Sequence, residues 1–196
     1  IFENELDALP RSVELRESLV AEMRTQAEPI HSQVLEALEA FMPEYRVHAT
    51  EEQLFEPIKE FTADNCDFKG FIDLVLQSPD GKYHIIDWKT CSWGWDSRRK
   101  SEKLVTYQLT LYKHFFANKT ETDPEHIETH FALLKRTAKR NRVEFFRVTS
   151  GPRKTENALK LLRTALFNIK KGTKIKNRLS CTSGFGCKFH NTEHCK

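Results

Sequence analysis

The chain has 196 residues, of which 39% are hydrophobic and 30% charged, and its 31 Lys and Arg against 28 Asp and Glu give a net charge of +3. This length predicts one α/β domain with a substantial core and argues against a second full domain. No apolar run approaches membrane-spanning length, and the first residues lack the basic-then-apolar pattern of a signal peptide, so we expect a soluble protein of the cytoplasm. The small positive charge permits nucleic-acid binding without requiring it.

The first part of the chain has helical spacing. Residues 6–41 are predicted to be helical, in two pieces divided near residues 26–29. The second piece carries a core stripe formed by Ile30, Val34, Leu38 and Phe41. His31 lies beside this stripe and is expected to point toward the interior or its margin. A lone histidine there is most simply a core-edge residue that hydrogen-bonds a carbonyl.

Two short strands are predicted next, over residues 45–49 and 54–58, with a polar turn between them. Pro57 cannot donate a hydrogen bond to a ladder, so the second strand is at most an edge strand. The acids of the turn are most simply solvated, and Glu52 is a second-tier candidate for a functional site.

Residues 70–90 form the central prediction, a β-hairpin with a Ser-Pro-Asp-Gly turn between two apolar runs. A three-residue loop would pair Ser78 with Lys82 and place Asp73 directly opposite Asp87. A four-residue loop would shift the register by one residue and put the two acids on opposite faces.

A lysine accompanies these acids, because side chains alternate along a strand and Asp87 therefore shares a face with Lys89. Two carboxylates beside a lysine in apolar strands form a hard oxygen site of the kind that Mg²⁺ or Mn²⁺ prefers. A structural ion pair of Lys89 with Asp87 or Asp73 explains the same residues equally well.

The segment after the hairpin, residues 91–100, is predicted to be a loop over this site. Trp93 and Trp95 precede Arg98 and Arg99. Aromatic rings stack on unpaired bases while cations bind phosphates, which suits single-stranded or frayed nucleic acid. Two tryptophans that cap a hydrophobic edge are an equally good explanation.

A helix is predicted over residues 101–116, with Gln108 and Tyr112 four residues apart on one face. Its expected buried stripe consists of Leu104, Leu111 and Phe115. Strands follow at residues 130–134 and 143–148, and a last helix at residues 154–169. This order predicts an α/β fold with a small mixed central sheet flanked by helices.

Four elements in order resemble the PD-(D/E)XK nucleases, and specifically their RecB-like branch of phage and bacterial recombination exonucleases and CRISPR-adaptation nucleases. The elements are a helical His31, Gly-Phe-Ile-Asp ending at Asp73, Ile-Ile-Asp-Trp-Lys with Asp87 and Lys89, and Gln-Leu-Thr-Leu-Tyr from Gln108 to Tyr112. The resemblance implies a restriction-endonuclease-like core over residues 1–178.

The resemblance also implies a role for each of these residues. His31, Asp73 and Asp87 would bind Mg²⁺ or Mn²⁺ together with the Trp88 carbonyl, and the imidazole would favour manganese. Lys89 would orient or help to deprotonate the attacking water. The residues that would position DNA are Gln108 and Tyr112, with Trp93, Trp95, Arg98 and Arg99 from the preceding loop.

Three of the five cysteines, Cys181, Cys187 and Cys195, lie in the last sixteen residues. Such crowding is more typical of a metal site than of a disulfide. Similar nucleases hold an iron-sulfur cluster with three C-terminal cysteines and one near the N-terminus. Here no cysteine precedes residue 66, so the fourth ligand could lie in a segment before Ile1, or His190 or His194 could complete a zinc site. Three free thiols are the remaining alternative, and the other two cysteines, Cys66 and Cys91, are expected to be small core residues.

The sequence therefore predicts a metal-dependent DNA nuclease, an exonuclease or end-processing enzyme that hydrolyses phosphodiester bonds at single strands or duplex ends. Residues 179–196 are predicted to form a Cys-rich segment that packs on the nuclease domain. The alternative function is an inactive nucleic-acid-binding module that keeps the nuclease fold.

Overall fold

The computed structural model describes residues 8, 16–59, 61, 66–173, 179–182 and 186–193. The chain divides into two compact units, Ile1–Ala158 and Leu159–Lys196. Among the described helices none is both long enough and apolar enough to cross a membrane. The helices are α1 (Glu17–Phe41), α2 (Ser97–Ser101), α3 (Lys103–Thr120), α4 (Pro152–Lys170) and α5 (Leu179–Thr182), with a 3₁₀ turn at Pro124–His126, and the strands are β1 (Arg46–Pro57), β2 (Asp67–Gln77), β3 (Tyr83–Cys91), β4 (Ile127–Lys135) and β5 (Val143–Arg147).

The five strands form one mixed sheet in the order β1-β2-β3-β4-β5. All neighbours are antiparallel except β3 and β4, which are parallel. A parallel pair needs a crossover connection, and helices α2 and α3 provide it. The small mixed sheet with flanking helices that the sequence predicts is confirmed, as are strands β4 and β5 and helix α4, with ends shifted by at most three residues.

The core on one sheet face lies under helix α1. Leu38 and Met42 pack there against strand residues, with Trp88 and Phe145 at the margin of the cluster, whose buried strand members are Leu74, Leu76, Ile86 and Ala132. We call this the α1 face of the sheet. The opposite face, which we call the α3 face, is covered by helix α3, whose Phe115 stacks on Phe68 of β2 with ring centroids 4.1 Å apart.

The division of the first helix near Pro29 is wrong, because α1 runs continuously from Glu17 to Phe41. Pro29 removes one backbone donor, at a cost of about 3 kcal/mol in a helix interior. The carbonyl that loses this donor belongs to Thr25, which is exposed and open to water. Ile30 and Leu38 are buried on the same helix, so their packing offsets the loss.

The polar turn predicted within residues 50–53 is also wrong, because β1 is one strand of 12 residues. Its pairing with β2 shifts register between Val47 and Ala49, and Glu51 adopts a left-handed φ of 51°. A bulge of this kind absorbs an irregular residue without ending the ladder. The edge position inferred from Pro57 is confirmed, since β1 is the first strand of the sheet.

The hairpin has the three-residue loop on which the acid pairing depends. Gln77 pairs with Tyr83, and the Ser78 N–H donates to the Lys82 carbonyl at 3.0 Å. Gly81 supplies the positive φ, 85°, that this tight turn requires. The predicted register is therefore confirmed.

Helix α3 buries only part of the predicted stripe, since Phe115 is buried and Leu111 is half-buried. Leu104 is 68% exposed, while Thr106 and Thr110 are buried. The Thr110 hydroxyl donates to the Thr106 carbonyl at 3.0 Å, so these threonines meet their hydrogen-bonding needs within the helix. The loop predicted at residues 91–100 contains the short helix α2, whose N-terminus is capped by the Asp96 carboxylate, an acceptor for the Arg99 N–H at 2.7 Å.

Candidate active site

Asp87 lies on the α3 face of the central strand β3 and is only 2% exposed. Its Oδ1 accepts a hydrogen bond from Gln108 Nε2 of helix α3 at 2.9 Å. Its Oδ2 lies 2.5 Å from Lys89 Nζ, and Lys89 is about one third exposed. One strand and one helix thus bring together an acid, an amide and an amine that are up to 21 residues apart.

Burial raises the pKa of the Asp87 carboxyl group, and the nearby Asp73 raises it further, while Lys89 opposes both effects. Within the described part of the chain, no donor meets hydrogen-bond geometry at Asp87 Oδ2. The contact with Lys89 is therefore an ion pair without an aligned hydrogen bond. A buried carboxylate oxygen in this condition is suited to a cation that would compensate its charge.

Asp73 is held at the point where strands β2 and β3 separate. Their backbone pairing ends at Leu74 and Ile86. Beyond that point the Asp73 carboxylate takes over, because its Oδ2 accepts the Trp88 N–H at 2.7 Å. The two acids consequently lie near the opening of the hairpin, close enough for the charge of Asp73 to raise the pKa of Asp87.

Gln108 and Tyr112 form one unit on helix α3, since Gln108 Nε2 lies 3.2 Å from the Tyr112 hydroxyl oxygen. The Tyr112 ring is buried against β2 at Gly70, where a Cβ atom would stand 2.8 Å from the ring. Only glycine allows this approach. The absence of a side chain at Gly70 therefore lets the Tyr112 ring pack closely on β2. The Tyr112 hydroxyl group in turn positions the Gln108 amide that donates to Asp87.

An aromatic floor extends from Lys89 across the α3 face. Lys89 Nζ lies 5.7 Å from the Phe131 ring centroid, and Phe131 is 5.6 Å from Phe146. Trp95 packs on both phenylalanines, at 5.3 and 5.9 Å, and carries the Arg99 guanidinium over its ring at 4.9 Å.

The two tryptophans of the predicted loop are thus in different environments. Trp95 covers the aromatic floor, as the hydrophobic-edge interpretation expects, whereas Trp93 is 72% exposed. Arg98 is exposed and lines a small groove together with Arg99 on helix α2. An aromatic ring and two guanidinium groups are therefore accessible on the segment that follows strand β3.

Glu144 was not anticipated from the sequence. Its two carboxylate oxygens accept hydrogen bonds from Lys100 at 2.6 Å and from Lys135 at 3.1 Å. These bonds lower the pKa of Glu144, against the opposing effect of burial. Glu144 ties helix α2 to strands β4 and β5 and so holds the loop in place, a role that no local sequence pattern indicates.

A basic cleft of about 690 Å³ opens next to Lys100. It lies between helices α2 and α3, the end of β5 and the first turn of α4, and its lining includes five cations, namely Lys100, Lys103, Arg147, Arg153 and Lys154. Burial lowers the pKa of Lys154. Lys100 Nζ also lies 5.0 Å from the Phe146 ring centroid, so the cleft is continuous with the aromatic floor.

Other predicted site residues lie apart from this group. His31 is exposed on α1, contrary to the expected interior position, because the stripe turns Ile30 inward and its neighbour outward. In the described part of the chain no hydrogen bond or ion pair joins His31 to Asp73 or Asp87. Glu52 instead pairs with Lys119 at the far end of α3, at 2.7 Å.

The C-terminal cysteines are only partly described. Cys181 is half-buried and Cys187 is exposed, and the Cys187 N–H donates to the Cys181 carbonyl at 3.0 Å. His190 is exposed. The predicted ligands Cys195 and His194 lie outside the described residues. The two remaining cysteines, Cys66 and Cys91, are half-buried where full burial was expected, and burial raises the pKa of Cys91.

Comparison with models of known protein families identifies the family of this chain. A model of the PD-(D/E)XK nuclease superfamily matches residues 2–192. The chain belongs to the PD-(D/E)XK nuclease superfamily. The restriction-endonuclease-like core of this family is the mixed sheet with helices α1 and α3. Nucleases of this superfamily use divalent metal ions, and a buried carboxylate oxygen without an aligned hydrogen-bond donor among the described residues suits such an ion.

One solved structure agrees at the level of the fold. The crystal structure of "Putative exonuclease" from Eubacterium rectale has a TM-score of 0.54 at 15% identity, over 88% of this chain and 61% of that one. The chain thus spans about 61% of the length of that protein. The crystal structure of SSO0001 has a TM-score of 0.38 at 12% identity, over 85% of this chain and 81% of that one. No curated protein matches the sequence.

Proposed function

We propose that this chain is a metal-dependent DNA exonuclease or end-processing enzyme that hydrolyses phosphodiester bonds. The observation that carries the proposal is Asp87, a carboxylate 2% exposed that has a lysine and an amide at hydrogen-bonding distance and one oxygen without an aligned donor. The cytoplasmic location predicted from the sequence belongs to this proposal, because DNA is the substrate.

The two aspartates would hold the metal. Asp73 and Asp87 offer hard oxygen atoms, which suit Mg²⁺ or Mn²⁺, and the proposal keeps the Trp88 carbonyl as a further ligand. His31 is the ligand with the least support, since its side chain is exposed on α1 and contacts neither acid among the described residues. When bound, the ion lowers the pKa of a water molecule and offsets charge on the scissile phosphate. The Trp88 N–H fixes Asp73, and the Gln108 amide fixes Asp87.

Lys89 and the surrounding cations would act on the substrate. Lys89 shares the α3 face with Asp87 and is partly exposed, so its ammonium group can contact a phosphate oxygen or orient a water. The exposed ring of Trp93 can stack on an unpaired base, and Arg98 and Arg99 can contact phosphates. A strand that left this site along the aromatic floor would enter the basic cleft.

Cleavage is tested with end-labelled linear DNA, in single- and double-stranded form, and with closed circular DNA of the same sequence. With Mn²⁺ we expect wild-type protein to shorten linear DNA and to spare the circle. Asp87→Asn should abolish cleavage, and chelation by EDTA should do the same. The matched control is Asp67→Asn, an exposed carboxylate at the start of β2, which should cleave at the wild-type rate.

Two outcomes would contradict the proposal. Equal cutting of circular and linear DNA would identify an endonuclease. Tight DNA binding without cleavage in Mg²⁺ or Mn²⁺ would instead support the inactive binding module.

The path of the DNA is tested by removing charge from the cleft. Lys103→Ala with Arg153→Ala should weaken binding of a single-stranded oligonucleotide and reduce the slope of log affinity against log salt by about 0.7 for each phosphate that is no longer neutralised. The double variant Lys139→Ala with Arg140→Ala removes two cations from the β4–β5 connection, away from the cleft. If both double variants reduce the slope equally, the cleft has no special role.

The Cys-rich segment remains a prediction. Cys181, Cys187 and Cys195 would hold an iron-sulfur cluster or, with His190 or His194, zinc. Thiolate-bound iron would give a brown protein with broad visible absorbance. Colourless protein without bound zinc, measured by elemental analysis, would leave three free thiols.

A further inference from the structure

A second polar cluster lies on the opposite face of the same two strands. It consists of His84 on β3 and Glu128 and His130 on β4. Parallel pairing places His84 beside Glu128 and Ile86 beside His130. His84 and Asp87 are three positions apart on one strand, so their side chains point to opposite faces. His130 packs edge-on against Phe41 of α1 at 5.0 Å, which places the cluster on the α1 face.

The separations within the cluster match those of a metal site. One ligand atom from each residue lies within 4.8 Å of the others. His84 Nδ1 is 3.2 Å from His130 Nε2, and that nitrogen is 3.8 Å from Glu128 Oε2. Three ligands of one tetrahedral ion at 2.0–2.2 Å stand about 3.4 Å apart. Only a small movement of the carboxylate would therefore be needed.

The surrounding hydrogen bonds prepare His84 as a ligand. The Ser78 hydroxyl donates to Asp80 Oδ1 in a short hydrogen bond, so its oxygen is left to accept. His84 Nε2 lies 3.1 Å from that oxygen and therefore carries the proton. Metal-binding histidines characteristically donate their second N–H in this way. His84 Nδ1 then accepts a hydrogen bond from the His130 Nε2–H, and this proton must move to His130 Nδ1 when Nε2 binds a metal.

Glu128 is oriented in the same manner. Its Oε1 forms an ion pair with Arg147 Nη2 at 3.0 Å, which leaves Oε2 for the cluster. Both histidines are more than nine-tenths buried, whereas the Glu128 side chain is 19% exposed and marks the side open to solvent. Burial lowers the pKa of both imidazoles, that of His130 to about 3. Neutral imidazole is the form that binds metal.

We propose that His84, His130 and Glu128 bind one divalent transition-metal ion of the zinc class, at a site separate from the nuclease centre. Two imidazole nitrogens and one carboxylate oxygen suit zinc better than magnesium. The ion joins β3 to β4 on the face opposite Asp87, where its β3 ligand His84 lies three positions before Asp87, and its fourth position is open to water on the Glu128 side. The competing explanation is a buried histidine pair that hydrogen-bonds without any metal.

The test separates this site from the two other places where metal could bind. The starting protein carries Asp87→Asn to disable the nuclease centre, carries Cys181→Ser, Cys187→Ser and Cys195→Ser to disable the thiol segment, and has no affinity tag. Zn²⁺ binding is measured by calorimetry. Co²⁺ serves as a spectroscopic probe, because a tetrahedral site gives visible absorbance bands.

We expect one equivalent of Zn²⁺ to bind this protein and to raise its melting temperature, and Co²⁺ to give tetrahedral bands. His130→Gln or His84→Gln should lower the zinc affinity by at least about 100-fold, more than the loss of an outer hydrogen-bond partner costs. His126→Gln, a control at an exposed histidine two residues before Glu128, should bind zinc normally.

Milder variants keep the test decisive if the histidine variants do not fold. Glu128→Gln removes a partly exposed ligand, and Ser78→Ala removes the acceptor for His84 and should lower the zinc affinity by about 10-fold. The proposal is overturned if the starting protein shows no zinc binding and no cobalt bands. It is equally overturned if zinc affinity is unchanged in Glu128→Gln and Ser78→Ala.

Discussion

Both faces of strand β3 bury polar groups, but the two faces differ in how far the hydrogen bonds and charges of those groups are balanced by partners. On the α3 face, Asp87 keeps a charged oxygen without an aligned donor, beside a partly exposed lysine and an open basic cleft. On the α1 face, His84 and His130 are neutral and connected to Ser78 by hydrogen bonds. Burial alone therefore does not distinguish the two clusters. Their charge does: the carboxylate of Asp87 on the α3 face favours a nearby cation. A metal ion bound on the α1 face would instead replace hydrogen bonds that His84 and His130 already make.

The largest expected effect comes from neutralising the acid of the α3 face. Asp87→Asn removes a proposed metal ligand and should reduce DNA cleavage by at least about 10³-fold, which corresponds to about 4 kcal/mol of transition-state stabilisation. It also removes a buried charge, so the metal-free variant should melt at a higher temperature near pH 7 than the wild type. Adding Mn²⁺ should raise the melting temperature of the wild type only. A variant that melts lower than the metal-free wild type would show that Lys89 fully compensates Asp87.

The next largest effect is expected from the lysine on the same face. Lys89→Ala leaves Asp87 with less compensation and should lower the free energy of unfolding by about 1–3 kcal/mol, below the usual cost of breaking a fully buried pair because Lys89 is partly exposed. Lys82→Ala breaks an exposed pair with Asp80 and should cost less than about 1 kcal/mol. Urea denaturation measures both values. Equal losses would mean that the Asp87 pair is an ordinary surface ion pair.

Gly70 tests whether the helix that supports Asp87 is fixed by close packing. Gly70→Ala would place a methyl group 2.8 Å from the Tyr112 ring, and we expect a loss of about 1–3 kcal/mol in the free energy of unfolding from overpacking. Gly151→Ala adds a methyl group with no atom within 4 Å and serves as the stability control. Tyrosine fluorescence or a crystal structure of the variant would report the displaced ring. An unchanged stability would show that Tyr112 can move without cost.

The smallest effect concerns Glu144, whose lowered pKa depends on Lys100 and Lys135. A carboxylate with a lowered folded-state pKa stabilises the fold above its ordinary pKa and loses that contribution as pH falls through the folded value. The difference in unfolding free energy between wild type and Glu144→Gln should be at most about 1 kcal/mol near pH 7, because the group is one third exposed, and should shrink as the pH falls below 4.5, the ordinary pKa of a glutamate. Urea denaturation at a series of pH values from 7 downward checks this. A difference that does not change with pH would indicate that packing, and not charge, gives Glu144 its effect.

The sequence predicts the hairpin because the information is local, but it leaves the pairing of the two acids open. The turn residues fit a three-residue or a four-residue loop, and the loop length fixes the register of Asp73 and Asp87. The spacing of Gln108 and Tyr112, four positions apart on one helix, is likewise local. The contact of Gln108 with Asp87, 21 positions away, depends instead on how helix α3 packs on the sheet.

The rest of the site depends on tertiary structure. Glu144 and Arg153 reach the site only through the pairing of β4 with β5 and the start of α4, and nothing in their own neighbourhood indicates it. The helical periodicity predicted that Leu104 is buried. Helix α3 instead buries threonines, whose hydroxyl groups can donate to backbone carbonyls of the same helix, as that of Thr110 does. The sequence does not predict the cluster of His84, Glu128 and His130, because His84 and His130 are 46 residues apart and come together only through the parallel pairing of β3 and β4.

The outer edge of β1 has a consequence for how these molecules behave when concentrated. A long free edge would normally invite another chain to extend the sheet. Here the register shift after Val47, the left-handed Glu51 and the terminal Pro57 interrupt the row of donors, and Glu56 adds charge. We expect this protein to resist edge-to-edge aggregation through β1.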